Sequence, residues 1–296
     1  MVHPAMDARK SDQRVSSVPI TVVMITLNEA HTLEGALENV TGWAEQVIIV
    51  DSYSRDATVD IALRYGTKIV QRKFTGFGDQ WNFALSLSNH SPWTMKMDPD
   101  ERVSPRLKQL IAERLHAATD SGFSFNWRLW FMGKPMPVSS PVLRLWRTGQ
   151  CRFTNARVNE HPVVNGALRH IDGELEHHDS PNLEHWLHKQ NAYTSAEARA
   201  MTLMSAEGGL RDMTPTQQML RKWFYRLPAR YQLYFLYSLI YRGAWRAGRA
   251  GWIWAHLRSE VLRLCEYKAY ELKTRTASPL AIQYGTGTPD PRVTQY

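Results

Sequence analysis

Three carboxylates fall within four residues at Asp98-Pro99-Asp100-Glu101, directly after a short and mostly apolar run, Trp93-Thr94-Met95-Lys96-Met97. Two carboxylates one residue apart, delivered where an extended segment ends and turns, can reach the same hard divalent cation. Mg²⁺ or Mn²⁺ would suit them, since both take oxygen ligands and are commonly shared with substrate phosphates. The same four residues are also an ordinary turn and helix start, with Asp as cap and Pro as turn former. Further along, Arg144 and Arg147 alternate with apolar residues in Val142 to Arg147. They are either phosphate-neutralising forks or the solvated face of a half-buried strand. Glu160, in Arg157-Val158-Asn159-Glu160-His161-Pro162, is a candidate general base for an alcohol or sugar hydroxyl. His177 and His178 lie among acids in Leu175-Glu176-His177-His178-Asp179, which suits either metal ligation or satisfied surface polarity.

Elements that could position these groups are legible in the hydrophobic pattern. Ile20 to Leu27 and Gln46 to Val50 are apolar, β-rich runs, and each is followed by a stretch with helical spacing, Ala30 to Val40 and a second ending at Tyr65. Lys68 to Val70 reads as a third strand, Gln80 to Ser88 as a helix behind a loop at Gly76-Phe77-Gly78, and Trp93 onward as a fourth strand. Alternation of strands with helices of about ten residues predicts right-handed βαβ units and a mostly parallel α/β sheet. In such sheets ligands bind beyond the carboxyl ends of the strands. Thr26, Asn28, Glu29, Asp51, Asp98 and Asp100 all fall at such ends, although Asp51 could equally cap a turn. Ser104-Pro105 looks like a helix start, Leu107 to Ala118 an amphipathic helix, and Gly122 to Phe131 a strand leading into a turn at Met132-Gly133-Lys134-Pro135.

The chain has 296 residues, 43% of them hydrophobic, and a formal net charge of +8. That charge favours an anionic partner: nucleic acid, an acidic membrane face or a phosphorylated small molecule. Cys151 and Cys265 are far apart and have no metal-ligand spacing, so a reducing, cytosolic setting is the expectation. Residues 1–18 read as a disordered leader, 19–181 as the sheet domain, 182–276 as a helical region and 277–296 as a disordered tail. The helical region is predicted as a long helix from Leu183 to Glu207, another opening at Pro215, and an aromatic and basic segment from Met219 to Tyr241 that continues through Trp245, Arg246, Arg249, Trp252, Trp254 and Arg258. Its longest uncharged run, Tyr231 to Tyr241, has eleven residues, against roughly twenty needed to span a bilayer. The composition fits helices lying in an anionic membrane interface, or a helical appendage whose aromatics pack on the sheet domain.

Taken together and in order, Ile25-Thr26-Leu27-Asn28-Glu29, Val50-Asp51-Ser52-Tyr53-Ser54-Arg55-Asp56-Ala57-Thr58, Gly76-Phe77-Gly78-Asp79-Gln80-Trp81-Asn82-Phe83-Ala84, Met97 to Val103, Arg144-Leu145-Trp146-Arg147 and Val158-Asn159-Glu160 carry a resemblance. The chain resembles the family 2 glycosyltransferases, and within them the bacterial branch that builds lipopolysaccharide core and related cell-surface glycans, often β-glucosyltransferases. The similarity spans about Ile20 to Tyr193.

That resemblance implies a GT-A (Rossmann-like) fold and an inverting transfer of a hexose from a nucleotide-diphosphate sugar, with UDP-glucose the expected donor. By the same resemblance Thr26, Asn28, Glu29 and Asp51 hold the nucleoside, and Gln80 and Asn82 lie beside the donor. Asp98 and Asp100 form a DxD-like pair on a divalent metal, Mg or Mn, and His177 adds a further metal contact. Glu160 matches the base of a Val-His-Glu motif in which Asn159 replaces the histidine. The expected acceptor is lipopolysaccharide core or another lipid-linked glycan, with polyprenyl phosphate or an exopolysaccharide lipid intermediate as the alternative. The expected location is cytoplasmic, peripheral on the inner face of the bacterial cytoplasmic membrane. Nucleic-acid binding is the competing reading of the charge, disfavoured because the basic residues cluster in the helical region and no nucleic-acid module is visible.

Overall fold

The computed structural model describes residues 17–154, 160–207, 219, 223, 224, 226–274 and 288–296. Strands β1 (Val18–Thr26), β2 (Ala44–Asp51), β3 (Lys68–Gln71) and β4 (Trp93–Lys96) alternate with helices α1 (Ala30–Val40), α2 (Thr58–Arg64) and α3 (Phe77–Leu87). The four strands run parallel in the order β3-β2-β1-β4. Their continuous apolar sequence has a direct cause, because both faces of the sheet are covered. Alternate residues serve opposite layers: Val22 and Met24 of β1 and Ile49 of β2 pack with Leu33 and Leu37 of α1, whereas Val23, Ile48 and Val50 pack with Trp81 and Ala84 of α3. The period of two along each strand produces this division.

Beyond β4 the sheet becomes mixed. β5 (Glu101–Val103) is followed by α4 (Pro105–Leu115), which is capped as its sequence suggests: Ser104 accepts from the Leu107 amide and Pro105 occupies the first turn. β6 (Gly122–Phe131) and β7 (Lys134–Arg147) form an antiparallel hairpin, turning at Met132 and Gly133, both in the left-handed region. β8 (Cys151–Phe153) and β9 (Pro162–Val164) make a separate small hairpin, and β10 (Leu168–His178) returns beside β6. β7 runs antiparallel to β4, and β5 antiparallel to β10. This is the mostly parallel α/β sheet with flanking helices that the sequence predicts.

The helical region comprises α5 (Leu183–Glu207), α6 (Arg230–Leu236) and α7 (Arg249–Thr274). It is attached by its own core, in which Trp186 of α5 and Trp254 and Ala255 of α7 meet Leu129 and Phe131 of β6 and Met136 and Val138 of β7. Among the described residues no helix is long and apolar enough to cross a membrane. Of the leader expected over residues 1–18, residues 1–16 lie outside the described residues, as does the helix start expected at Pro215, while Val18 already belongs to β1.

The tail expected to be disordered over 277–296 is corrected at its end. β11 (Thr294–Gln295) adds to the sheet in parallel beside β3. Gln71, buried at the end of β3, explains the attachment, because its side-chain oxygen accepts from the Asp290 amide (2.8 Å) and its backbone carbonyl from the Tyr296 amide (2.9 Å).

Candidate active site

Asp98 to Glu101 does form a turn, since the Glu101 amide donates to the Asp98 carbonyl (2.9 Å). Glu101 then staples the turn from within. Fully buried, its carboxylate accepts from the Asp98 amide (2.9 Å), the Trp127 indole (3.1 Å) and Arg144 Nη2 (2.6 Å). The turn reading and the site reading therefore hold together. Pairing of Glu101 with His177, and the bond from the His178 amide to the Asp100 carbonyl (2.7 Å), bring the end of β10 against Asp100.

Asp100, His177 and Asp179 converge there, with one ligand atom from each lying within 4.8 Å of the others. His177 Nδ1 is 3.3 Å from Asp100 Oδ1, and its Nε2 is 3.5 Å from Asp179 Oδ1. Trp127 stacks obliquely on the imidazole, centroid to centroid 4.4 Å, and fixes its plane. Buried Asp100 Oδ1 and His177 Nδ1 have no hydrogen-bond partner among the described residues. Two buried polar atoms that face each other at 3.3 Å without a hydrogen bond, beside a second carboxylate, fit a divalent cation that would engage both.

The charges in the cluster are strongly coupled. Burial pulls the His177 imidazole down, but Asp100 and Asp179 outweigh it and push it up to about 10. Burial raises the Asp100 carboxyl, and His177 and Lys189 outweigh it, leaving Asp100 well below the usual carboxylate range. Glu29, at the start of α1, is pushed up to about 7 by burial and then by Asp100.

The structure separates the remaining sequence-predicted residues. Asp98 turns away from this cluster toward Arg144 Nη2 (3.0 Å) and Lys96 Nζ (3.4 Å), so among the described residues the group that could hold a metal ion includes Asp179 and does not include Asp98. Arg144 bridges Asp98 and Glu101 and stands beside the site. Arg147 does not. Because β7 is antiparallel to β4, Arg147 pairs with Trp93 at the opposite end of the strand, where its guanidinium donates to the Asp120 and Ala118 carbonyls (3.1 and 2.5 Å).

Asp51 is fully buried with its acceptor positions filled by Thr26 Oγ1 (2.9 Å), Gln71 Nε2 (2.8 Å) and the Ser54 amide and hydroxyl (2.9 and 2.5 Å). It and Thr26 brace the strand ends. Asn28, held at a positive φ of 57°, receives the Arg55 amide on its side chain and donates its own amide to Ser54. The first amides of α1, those of Glu29 and Ala30, go to Thr58 and Asp56. Gln80 is buried, bonded to Ser52 (3.2 Å) and Arg72 (3.1 Å). Asn82 spends its whole amide on the Phe153 backbone (3.0 and 2.8 Å), holding the β8–β9 hairpin on α3 rather than a donor. Glu160, half-buried, lies in the connection between β8 and β9, two residues before β9; Asn159 lies outside the described residues.

Sequence reading overlooked Asp179 and Lys189. An acid directly after two histidines was the available signal for Asp179. Lys189 had none, because a single lysine in a long helix is ordinary.

Residues 21–150 match the model of the glycosyl transferase family 2. The lipopolysaccharide core biosynthesis glycosyltransferase LpsC of Rhizobium meliloti (strain 1021) is 27% identical over 277 residues, 90% of this chain and 97% of that protein. An uncharacterized glycosyltransferase of Rickettsia bellii is 38% identical over 92 residues, 31% of each chain. Among solved structures, TarS 1-349 of S. aureus aligns over 91% of this chain and 98% of its own with 15% identity and a TM-score of 0.42. Glucosyl-3-phosphoglycerate synthase of Mycobacterium tuberculosis, solved with Mn²⁺ and UDP, aligns over 37% of this chain and 44% of its own with 23% identity and a TM-score of 0.32.

Proposed function

We propose that the chain, whose residues 21–150 match the glycosyl transferase family 2, is an inverting hexosyltransferase of that family acting on a nucleotide-diphosphate sugar and a lipid-linked or lipopolysaccharide-core acceptor. The observation that carries the reading is the convergence of Asp100, His177 and Asp179 beyond the end of β4, with two buried ligand atoms that have no hydrogen-bond partner among the described residues. These three residues would hold the divalent ion, Mg²⁺ or Mn²⁺. When bound, such an ion neutralises charge on a leaving diphosphate. Support for UDP as the nucleotide, and glucose as the sugar, comes from the resemblance in the sequence.

The chain's own residues have the remaining work. Glu101 and Trp127 fix the turn and the imidazole. Arg144, wedged between Asp98 and Glu101, places a permanent positive charge beside the donor half of the site. Glu160 takes the proton of the acceptor hydroxyl as that oxygen attacks, and attack opposite the diphosphate inverts the anomeric carbon.

In this reading the helical region holds the enzyme where a lipid acceptor lies, on the inner face of the cytoplasmic membrane. Trp223, Ile240, Tyr241, Trp245 and Trp252 are more than half exposed, with Arg242, Arg246 and Arg249 interspersed. Aromatic rings with arginines suit the headgroup layer of an anionic bilayer. A thermal-shift screen of nucleotide sugars with and without Mn²⁺ tests the donor assignment, because a ligand that binds the native state raises its melting temperature by mass action. UDP-hexoses should stabilise the protein only when Mn²⁺ is present. Stabilisation by no nucleotide sugar would remove the proposal.

A further inference from the structure

The carboxylates that converge on His177 already hold a cation of the chain's own. Lys189, early in α5, brings its ammonium to 3.2 Å from Asp100 Oδ2, 2.9 Å from Asp179 Oδ1 and 3.2 Å from the Asp179 carbonyl. Its side chain is about one quarter exposed (24%), so these contacts are made largely out of water. Two of the three groups it touches are the very carboxylates that would hold the divalent ion. The helix that carries Lys189 is anchored on both sides. Trp186 is buried against the β6–β7 hairpin, and just beyond Lys189 the Lys268 ammonium of α7 grips Asn191, Thr194 and Ser195 at 2.7–2.8 Å.

A site rich in carboxylates (Asp100 and Asp179, with Glu29 and Asp98 close enough to shift one another) is unfavourable without positive charge. Lys189, beside His177, supplies that charge in the metal-free protein. A divalent ion entering the same ligand set would stand next to the ammonium, and two cations cannot share these few ångströms without strong repulsion. The lysine has four side-chain carbons and the flexibility to leave. A nucleotide-diphosphate donor, in the reading proposed above, brings a new anion to the same end of the sheet.

We propose that Lys189 is a displaceable counter-ion: it occupies the carboxylate cluster before the metal binds and is handed to the donor diphosphate when the metal arrives. The inference rests on the reading of Asp100, His177 and Asp179 as the metal centre. Lys189 thereby makes metal binding weak in the absence of nucleotide and cooperative with it. The metal is drawn in fully only when a diphosphate is present to receive the ammonium.

The test is Mn²⁺ binding to the full chain, read by electron paramagnetic resonance of the free ion, with and without UDP. In Lys189→Met, Mn²⁺ alone should bind more tightly than in the parent by at least about fivefold, while the gain in Mn²⁺ affinity on adding UDP should shrink by a similar factor, both being the same coupling. Lys189→Arg, which keeps the charge, should stay close to the parent. Lys189→Gln gives the same reading as the methionine if that variant fails to fold. A parent chain that binds Mn²⁺ and uncharged variants that bind it no more tightly would overturn the counter-ion role and leave the metal centre standing. If neither the parent nor the variants bind Mn²⁺, the metal centre falls and the role of Lys189 with it.

Discussion

Two acidic groups stand at the carboxyl ends of the parallel strands on either side of β1, Asp51 ending β2 and Asp100 just beyond β4, and the sequence presents them in much the same way. Around Asp51 every acceptor position is filled by the chain, from Thr26, Ser54 and Gln71. Around Asp100 one oxygen and the His177 imidazole nitrogen are buried and face each other at 3.3 Å without hydrogen-bond geometry, and the other oxygen meets a lysine. Saturated polar groups build the rim of the site, and unsatisfied ones are left to take a ligand. Burial does not distinguish them, since both side chains are buried. What distinguishes them is how much hydrogen-bonding capacity remains.

The contrast can be broken most directly at the unsatisfied side. Asp100→Ala should abolish Mn²⁺ binding and lower transfer by about 10³-fold, the size expected when several kcal/mol of charge stabilisation are lost. Radiolabelled sugar transfer and Mn²⁺ titration would check it, and full activity in that variant would place the metal elsewhere. Glu160→Gln should leave UDP binding near normal and cut turnover by about 10²-fold or more. Single-turnover kinetics with calorimetry of UDP binding would separate the two effects.

On the saturated side the cost should appear as stability. Asp51→Ala strands Thr26, Gln71 and Ser54 donors inside the fold, and about 3 kcal/mol should be lost in urea unfolding. Mn²⁺ affinity of the folded fraction should be unchanged. Loss of Mn²⁺ binding with stability intact would erase the distinction between the two aspartates.

Glu29 gives the smallest effect and a sign. Its folded carboxyl is raised to about 7 from an ordinary 4.5, so the metal-free native state keeps a proton that the unfolded chain sheds. Stability should therefore fall as pH rises from 4.5 to 7. Glu29→Gln should flatten that fall and, above pH 7, be the more stable chain by about 1 kcal/mol, a figure reduced for solvent screening of a partly exposed group. Melting temperatures across that range, without metal, would show it. A parallel pH profile in both chains would return Glu29 to an ordinary helix-start carboxylate.

Much of the parallel half was legible because its signals are local. A period of two with apolar residues on both phases marks a strand covered on both faces, and Val22, Val23, Ile48 and Ile49 do separate into the two layers that pattern implies. Ser104-Pro105 started a helix by the same local chemistry. The carboxylate turn was legible too, as a turn and as a candidate site, and it is a turn stapled by its own third acid.

What the residues could not announce was direction and saturation. Arg144 and Arg147 carry the same alternating pattern, yet the antiparallel course of β7 leaves one beside Asp98 and sends the other to the far end of β4. Asn82 and Asp51 carry polar side chains whose partners, Phe153 and Gln71, are distant in sequence. Asp179 and Lys189 joined the site only through the pairing of β10 with β5 and the docking of α5. The sequence by itself determined the elements and the end of the sheet at which chemistry would gather, because propensity and periodicity act over a few residues. Only the tertiary structure decided which polar atoms remained unpaired there, because satisfying a buried donor or acceptor depends on groups that meet solely through folding.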